Sequence, residues 1–147
     1  MLEETLRNKV IRDLQAKRIN VINFHKGTFD TLVDGTNPFL LELKVIKETG
    51  CQEFTKEEPL FEYTEDQCDE IQKAKFPVYV LAKYDNDYFL FNPKWVRKHI
   101  KMLTVDNTYD RTTSNEWRPN EDDIVSSITY DEAINNMAKI AQRKRKY

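Results

Sequence analysis

Three side chains within the stretch TFDTLVDGTNPFLLELKVI, residues 28–46, could do chemistry together: Asp30, Glu42 and Lys44. Carboxylate oxygens are the ligands that a hard divalent cation such as Mg²⁺ prefers. A lysine beside them can stabilise negative charge developing on phosphorus, or help orient a water. An acid, a second acid and a lysine are the minimum set for holding a divalent metal beside a phosphodiester and activating a water against it.

The element that must position them is a hairpin. Residues 28–33 and 39–46 read as strands, with Asp34-Gly35-Thr36-Asn37-Pro38 as the turn. Side chains alternate across a strand, so Phe39, Leu41, Leu43 and Val45 share the core face, while Leu40, Glu42, Lys44 and Ile46 share the other. If Val33 pairs with Phe39, Asp30 lies opposite Glu42, with Cβ atoms roughly 4.5–5.5 Å apart. Carboxylates that close repel each other unless a cation or a proton sits between them. A one-residue slip in register would turn Asp30 to the other face. Asp34 is the alternative acid, and its place before Gly35 suits the turn.

The hairpin sits inside a longer pattern. Leu6, Val10 and Leu14 recur at helical spacing, which predicts a helix over 2–17. A short strand is expected at 19–24. Residues 47–63 are irregular and acidic. A helix is expected from Thr64, which has capping-box spacing to Gln67 and an inward-facing Ile71. Residues 76–83, FPVYVLAK, read as an apolar central strand, turned by Asp85-Asn86-Asp87 into a strand at 88–91. Asn92-Pro93 opens a helix with Val96, Ile100 and Leu103 as its buried stripe. Residues 104–123 read as a long polar loop or lid. Thr129 and Glu132 form a second capping box, and the last helix, over 129–147, carries Ile134, Met137, Ala138 and Ala141 before a basic tail. Consecutive hairpins joined by a crossover helix imply a three-layer α/β domain, a mixed sheet flanked by helices, spanning 1–147 with its core at about 2–103.

Bulk properties narrow the field. The chain has 147 residues, 39% hydrophobic and 33% charged, and fits one domain with a single core. A net charge of -2 excludes a chain that is cationic throughout, yet Arg143, Lys144, Arg145 and Lys146 cluster at one end while 48–70 is acidic. Cys51 and Cys68 lack metal-ligand spacing, so free thiols in a reduced, intracellular (cytoplasmic) setting are expected. The first residues are too charged for a signal peptide, and no apolar run approaches the roughly 20 residues of a membrane span.

Asp30 followed by Glu42-x-Lys44 on the next strand resembles the PD-(D/E)xK nuclease superfamily, which includes restriction endonucleases and archaeal Holliday-junction resolvases. The order of elements over about 2–92 is similar too: helix, acid-bearing hairpin, crossover helix, strand pair. The residue before Asp30 is Phe29 rather than proline. The resemblance implies a restriction-endonuclease-like fold and a Mg²⁺-dependent endonuclease, with Mn²⁺ able to substitute. Asp30 and Glu42 would hold the metal and Lys44 would assist. Many members add a first-helix glutamate. Glu3, on the face of Leu6 and Val10, is the preferred candidate and Glu4 the other, though acids also favour a helix start through the dipole. Gln67 matches a polar residue that some members carry on the crossover helix, and also fits its capping box. Lys26, Lys47 and the run Arg143 to Lys146 could contact backbone phosphates. The implied substrate is DNA, duplex or branched, with RNA left open, and the implied assembly a homodimer. The rival readings are a non-catalytic nucleic-acid or protein binding module on the same fold, and an interaction protein with a chance motif.

Overall fold

Strands buried on both faces and 3.6-residue burial along the helices organise the chain, and a computed structural model describes residues 3–24, 31–46, 69–71, 73–84, 86–97 and 124–143. In chain order the elements are α1 (Glu3–Ala16), β1 (Asn20–Asn23), β2 (Thr31–Asp34), β3 (Phe39–Ile46), β4 (Val78–Tyr84), β5 (Asp87–Phe91), β6 (Ile124–Ile128) and α2 (Tyr130–Gln142). The strands form one sheet in the order β1-β2-β3-β4-β5-β6. β3 and β4 are parallel and the other neighbours antiparallel. The architecture is therefore α/β with a mixed sheet, as the hairpins and crossover imply.

One face of the sheet is covered by both long helices. Leu6, Val10 and Leu14 of α1 pack with Phe39, Leu41 and Leu43, and with Ile134, Met137 and Ala141 of α2. The last helix thus belongs to the main core, which extends past the 2–103 expected from the sequence. The second face buries Leu32, Val78, Val80, Ala82, Phe89 and Phe91. Trp95 stacks on Phe91 with ring centroids 4.2 Å apart. Its short helix is capped as Asn92 implies, the Trp95 backbone N–H donating to Asn92 Oδ1 at 2.9 Å. Ile71 is buried as expected, on helical residues that follow the proposed Thr64 start. Thr64 and Gln67 themselves lie outside the described residues.

The sixth strand is a correction to the sequence reading, which stops at five. Ile-Val-Ser-Ser-Ile has only a short apolar pair and no sustained alternation, so its local signal is weak. Pairing with β5 makes it a strand, across a register shift between Tyr88 and Leu90. It leads directly into α2, where the Glu132 backbone N–H donates to Thr129 Oγ1 at 3.2 Å, the expected cap.

α1 and α2 are tied by polar contacts. The Tyr130 hydroxyl donates to Asp13 Oδ2 at 2.5 Å, and Lys9 Nζ lies 4.1 Å from the Tyr130 ring centroid. Burial first, then the Asp13 hydrogen bond, push the Tyr130 hydroxyl pKa well above its ordinary value, so the phenol stays a donor.

The β2–β3 turn is docked on the end of α2. The Asn37 backbone N–H donates to Ala141 O at 3.0 Å, and Asn37 Nδ2 donates to Arg143 O. These bonds satisfy carbonyls that a helix end leaves without partners. Gly35 permits the approach: a Cβ there would lie 2.4 Å from Ala141 O and 2.9 Å from Ala141 C. Both neighbours are backbone and cannot rotate away. Gly35→Ala is expected to destabilise the fold by about 1–3 kcal/mol, the usual range for overpacking. A urea midpoint equal to wild type would show that the turn does not hold α2.

Candidate functional site

β3 presents Glu42 and Lys44 on one face because side chains alternate along it. Register across the sheet then sets their neighbours. Glu42 is opposite Val80 and Lys44 opposite Ala82 on parallel β4, while Val80 and Ala82 face Phe91 and Phe89 on β5. The acid and the lysine therefore emerge beside a wall of buried apolar side chains. Glu42 is 9% exposed, one of two buried polar or charged residues among those described. Its Oε1 lies 3.6 Å from Lys44 Nζ, and the two side chains are 11% and 16% exposed. Coulombic attraction is several-fold stronger in such surroundings than in water, so each partner orients the other.

The hairpin register is the one that the acid pairing requires. Val33 pairs with Phe39, Leu32 with Leu40 and Thr31 with Leu41. Asp30, next along the chain, lies outside the described residues, and so do Lys26, Lys47, Gln67, Lys144, Arg145 and Lys146. Asp34, the alternative acid, closes β2 at the turn end, where it accepts a 3.3 Å hydrogen bond from Asn20 Nδ2.

Glu3 is exposed in the first turn of α1. That helix packs on the Phe39, Leu41 and Leu43 face, whereas Glu42 projects from the other. Helical parity placed Glu3 with Leu6 and Val10, but those are fully buried and Glu3 is not. Of the three candidate carboxylates, Glu42 alone is described on that second face. Among the described residues no three or more His, Cys, Asp or Glu side chains gather as a metal site.

Sequence reasoning passed over Thr31. It is 1% exposed, and its Oγ1 has no hydrogen-bond partner among the described residues. Its one signal is position: a β-branched hydroxyl residue between Asp30 and the apolar Leu32-Val33. Burying an unsatisfied hydroxyl costs about 1–3 kcal/mol. Arg143, described at the end of α2, is exposed and carries its positive charge toward the Tyr79 hydroxyl. Burial raises the pKa of that hydroxyl, and Arg143 partly offsets the rise.

Fold and site together define an α/β protein with a mixed sheet and a largely buried glutamate–lysine pair on its central parallel strand. Comparison with protein-family models, with curated proteins and with solved structures gives no match. Among the described residues no helix is long and apolar enough to cross a membrane.

Proposed function

We propose that the protein is a Mg²⁺-dependent endonuclease of the PD-(D/E)xK type, hydrolysing phosphodiester bonds in duplex or branched DNA. The observation that carries this reading is the Glu42–Lys44 pair, 3.6 Å apart on one face of a central strand. The Val33–Phe39 register, on which a pairing of Asp30 with Glu42 depends, supports it.

In this reading Glu42 and Asp30 supply carboxylate oxygens to the cation, and the exposed Glu3 is not needed as a ligand. Bound Mg²⁺ would lower the pKa of a coordinated water and neutralise charge gathering on the phosphate. Lys44 donates to a phosphate oxygen or to the attacking water, and Glu42 holds its ammonium in place. The water oxygen bonds to phosphorus as one P–O ester bond breaks; the proton that the water loses passes to solvent, and the leaving oxygen takes one up from solvent. The apolar wall of Val80, Ala82, Phe89 and Phe91 keeps bulk water from that side of the pair. Arg143 and the lysines and arginine after it contact the phosphate backbone, and cutting both strands calls for a homodimer with two sites.

One observation favours a binding module on the same fold: Glu42 already has a cationic partner in Lys44, 3.6 Å away. Labelled duplex, four-way-junction and single-stranded DNA incubated with Mg²⁺, Mn²⁺ or EDTA separates the two. The nuclease reading expects cleavage with either metal and none in EDTA. Binding without cleavage in any metal leaves the module.

A further inference from the structure

The two helices that cover the sheet end in basic residues, although α1 itself carries three acids against three bases and α2 two acids against one. Residues 5–18 carry Arg7, Lys9, Arg12, Lys17 and Arg18 against the single acid Asp13. Residues 133–147 carry Lys139, Arg143, Lys144, Arg145 and Lys146 and no acid. Apart from Asp13, the acids of these helices sit in their first turns, Glu3 and Glu4 in α1, Asp131 and Glu132 in α2. In a chain of net charge -2, the rest of the molecule is correspondingly acidic.

A groove of about 440 Å³ lies where the cationic ends of the helices meet, lined by Lys17, Asn135, Ala138, Lys139 and Gln142. On α2 these residues fall at helical spacing, so one strip of the helix forms a wall. Ala138, small and buried, leaves the floor open, while Lys17, Asn135, Lys139 and Gln142 are exposed and can turn their donors inward. Neither lysine makes an ion pair among the described residues. The acid nearest them in α1, Asp13, accepts a hydrogen bond from Tyr130 and lies 3.9 Å from Arg12 Nε.

We propose that this groove is a phosphodiester-backbone binding site, separate from the Glu42–Lys44 face and independent of metal. Lys17 and Lys139 bind phosphate oxygens as cations, and the Asn135 and Gln142 amides donate to phosphate or sugar oxygens. The ligand is nucleic acid. α1 and α2 lie on the side of the sheet opposite Glu42, so a strand held here does not cover the acid–lysine pair.

The test is fluorescence anisotropy in EDTA with a labelled DNA duplex and the matching single strand, titrated at several salt concentrations. Wild type is expected to bind, with affinity falling linearly in log salt. The double variant Lys17→Gln/Lys139→Gln is expected to bind about tenfold or more weakly, with a salt slope smaller by about 1.5–2, as two lost phosphate contacts require. Lys75→Gln, an exposed lysine outside the helical layer, should bind as wild type does. The stronger of the two DNA forms identifies the source of the backbone. Equal affinity and slope in the double variant overturn the proposal, and so does a wild type that binds neither form, or that binds anionic vesicles through these lysines in place of DNA. Absence of cleavage in Mg²⁺ would count against the nuclease alone, since no step here uses metal.

Discussion

Glu42→Gln is expected to lower Mg²⁺-dependent cleavage by about 10³-fold or more while the protein stays folded. The substitution keeps the size of the side chain and removes the charge. A metal ion at a phosphoryl centre contributes several kcal/mol to the barrier, and about 4 kcal/mol corresponds to about a thousandfold in rate. Lys44 gives a second, different readout. Lys44→Gln leaves the carboxylates able to hold the cation, so Mg²⁺ affinity should persist while kcat falls. Stability should change less than activity. Removing one partner of a fully buried ion pair costs about 3–5 kcal/mol, and these side chains keep 11% and 16% exposure, so the cost is expected at or below the low end of that range. Cleavage assays paired with denaturant melts check both expectations. A Glu42→Gln protein that cleaves at the wild-type rate would remove Glu42 from the site and the nuclease assignment with it.

Trp95→Ala is expected to produce the largest loss of stability, about 3–5 kcal/mol. Trp95 heads the fully buried side chains by size and lies flat on Phe91, itself fully buried. Phe91 pairs with Val80, and Val80 with Glu42. A cavity at Trp95 would therefore open on the same face of the sheet as the acid–lysine pair. Truncation loses both the transfer free energy of the indole and the contacts of the atoms lining the void. For a chain of this size the loss corresponds to a melting-temperature drop of roughly 6–20 °C. Trp95→Phe, which refills most of the volume and keeps the ring stack, should recover more than half of it. Thermal unfolding with a drop under about 2 °C for Trp95→Ala would contradict the buried placement.

The groove between α1 and α2 offers two exposed lysines in a molecule of net charge -2. Averages over the chain hide basic helix ends, Lys17 and Arg18 after α1 and Lys139 and Arg143 at the end of α2, on the side of the sheet away from Glu42. Two contact surfaces on opposite sides would let one segment of nucleic acid be held while another is presented to the acid–lysine pair.

Local order was legible wherever the physics is short-range. The β3 alternation, Phe39, Leu41 and Leu43 against Glu42 and Lys44, follows from the strand repeat and appears in the structure unchanged. The α1 stripe of Leu6, Val10 and Leu14, and the Asn92 and Thr129 caps, depend on residues three or four apart, and each forms as read. The Val33–Phe39 register follows from turn length and the need to bury one face.

What the tertiary structure decided rests on residues far apart in sequence, whose contacts leave no local period. β6 is a strand because β5 offers it an edge. The side chain of Asn37 reaches the carbonyl of Arg143 across 106 positions, and Gly35 is needed only because Ala141 arrives beside it. Helical parity could assign Glu3 to the face of Leu6, but only the packing of α1 on the Leu41 face separates it from Glu42. The sequence alone therefore determined which side chains could act together along one strand. Only the packing of helices on the sheet decided which sides of the molecule they face, because that choice is made by the total burial of both apolar helix stripes against one surface.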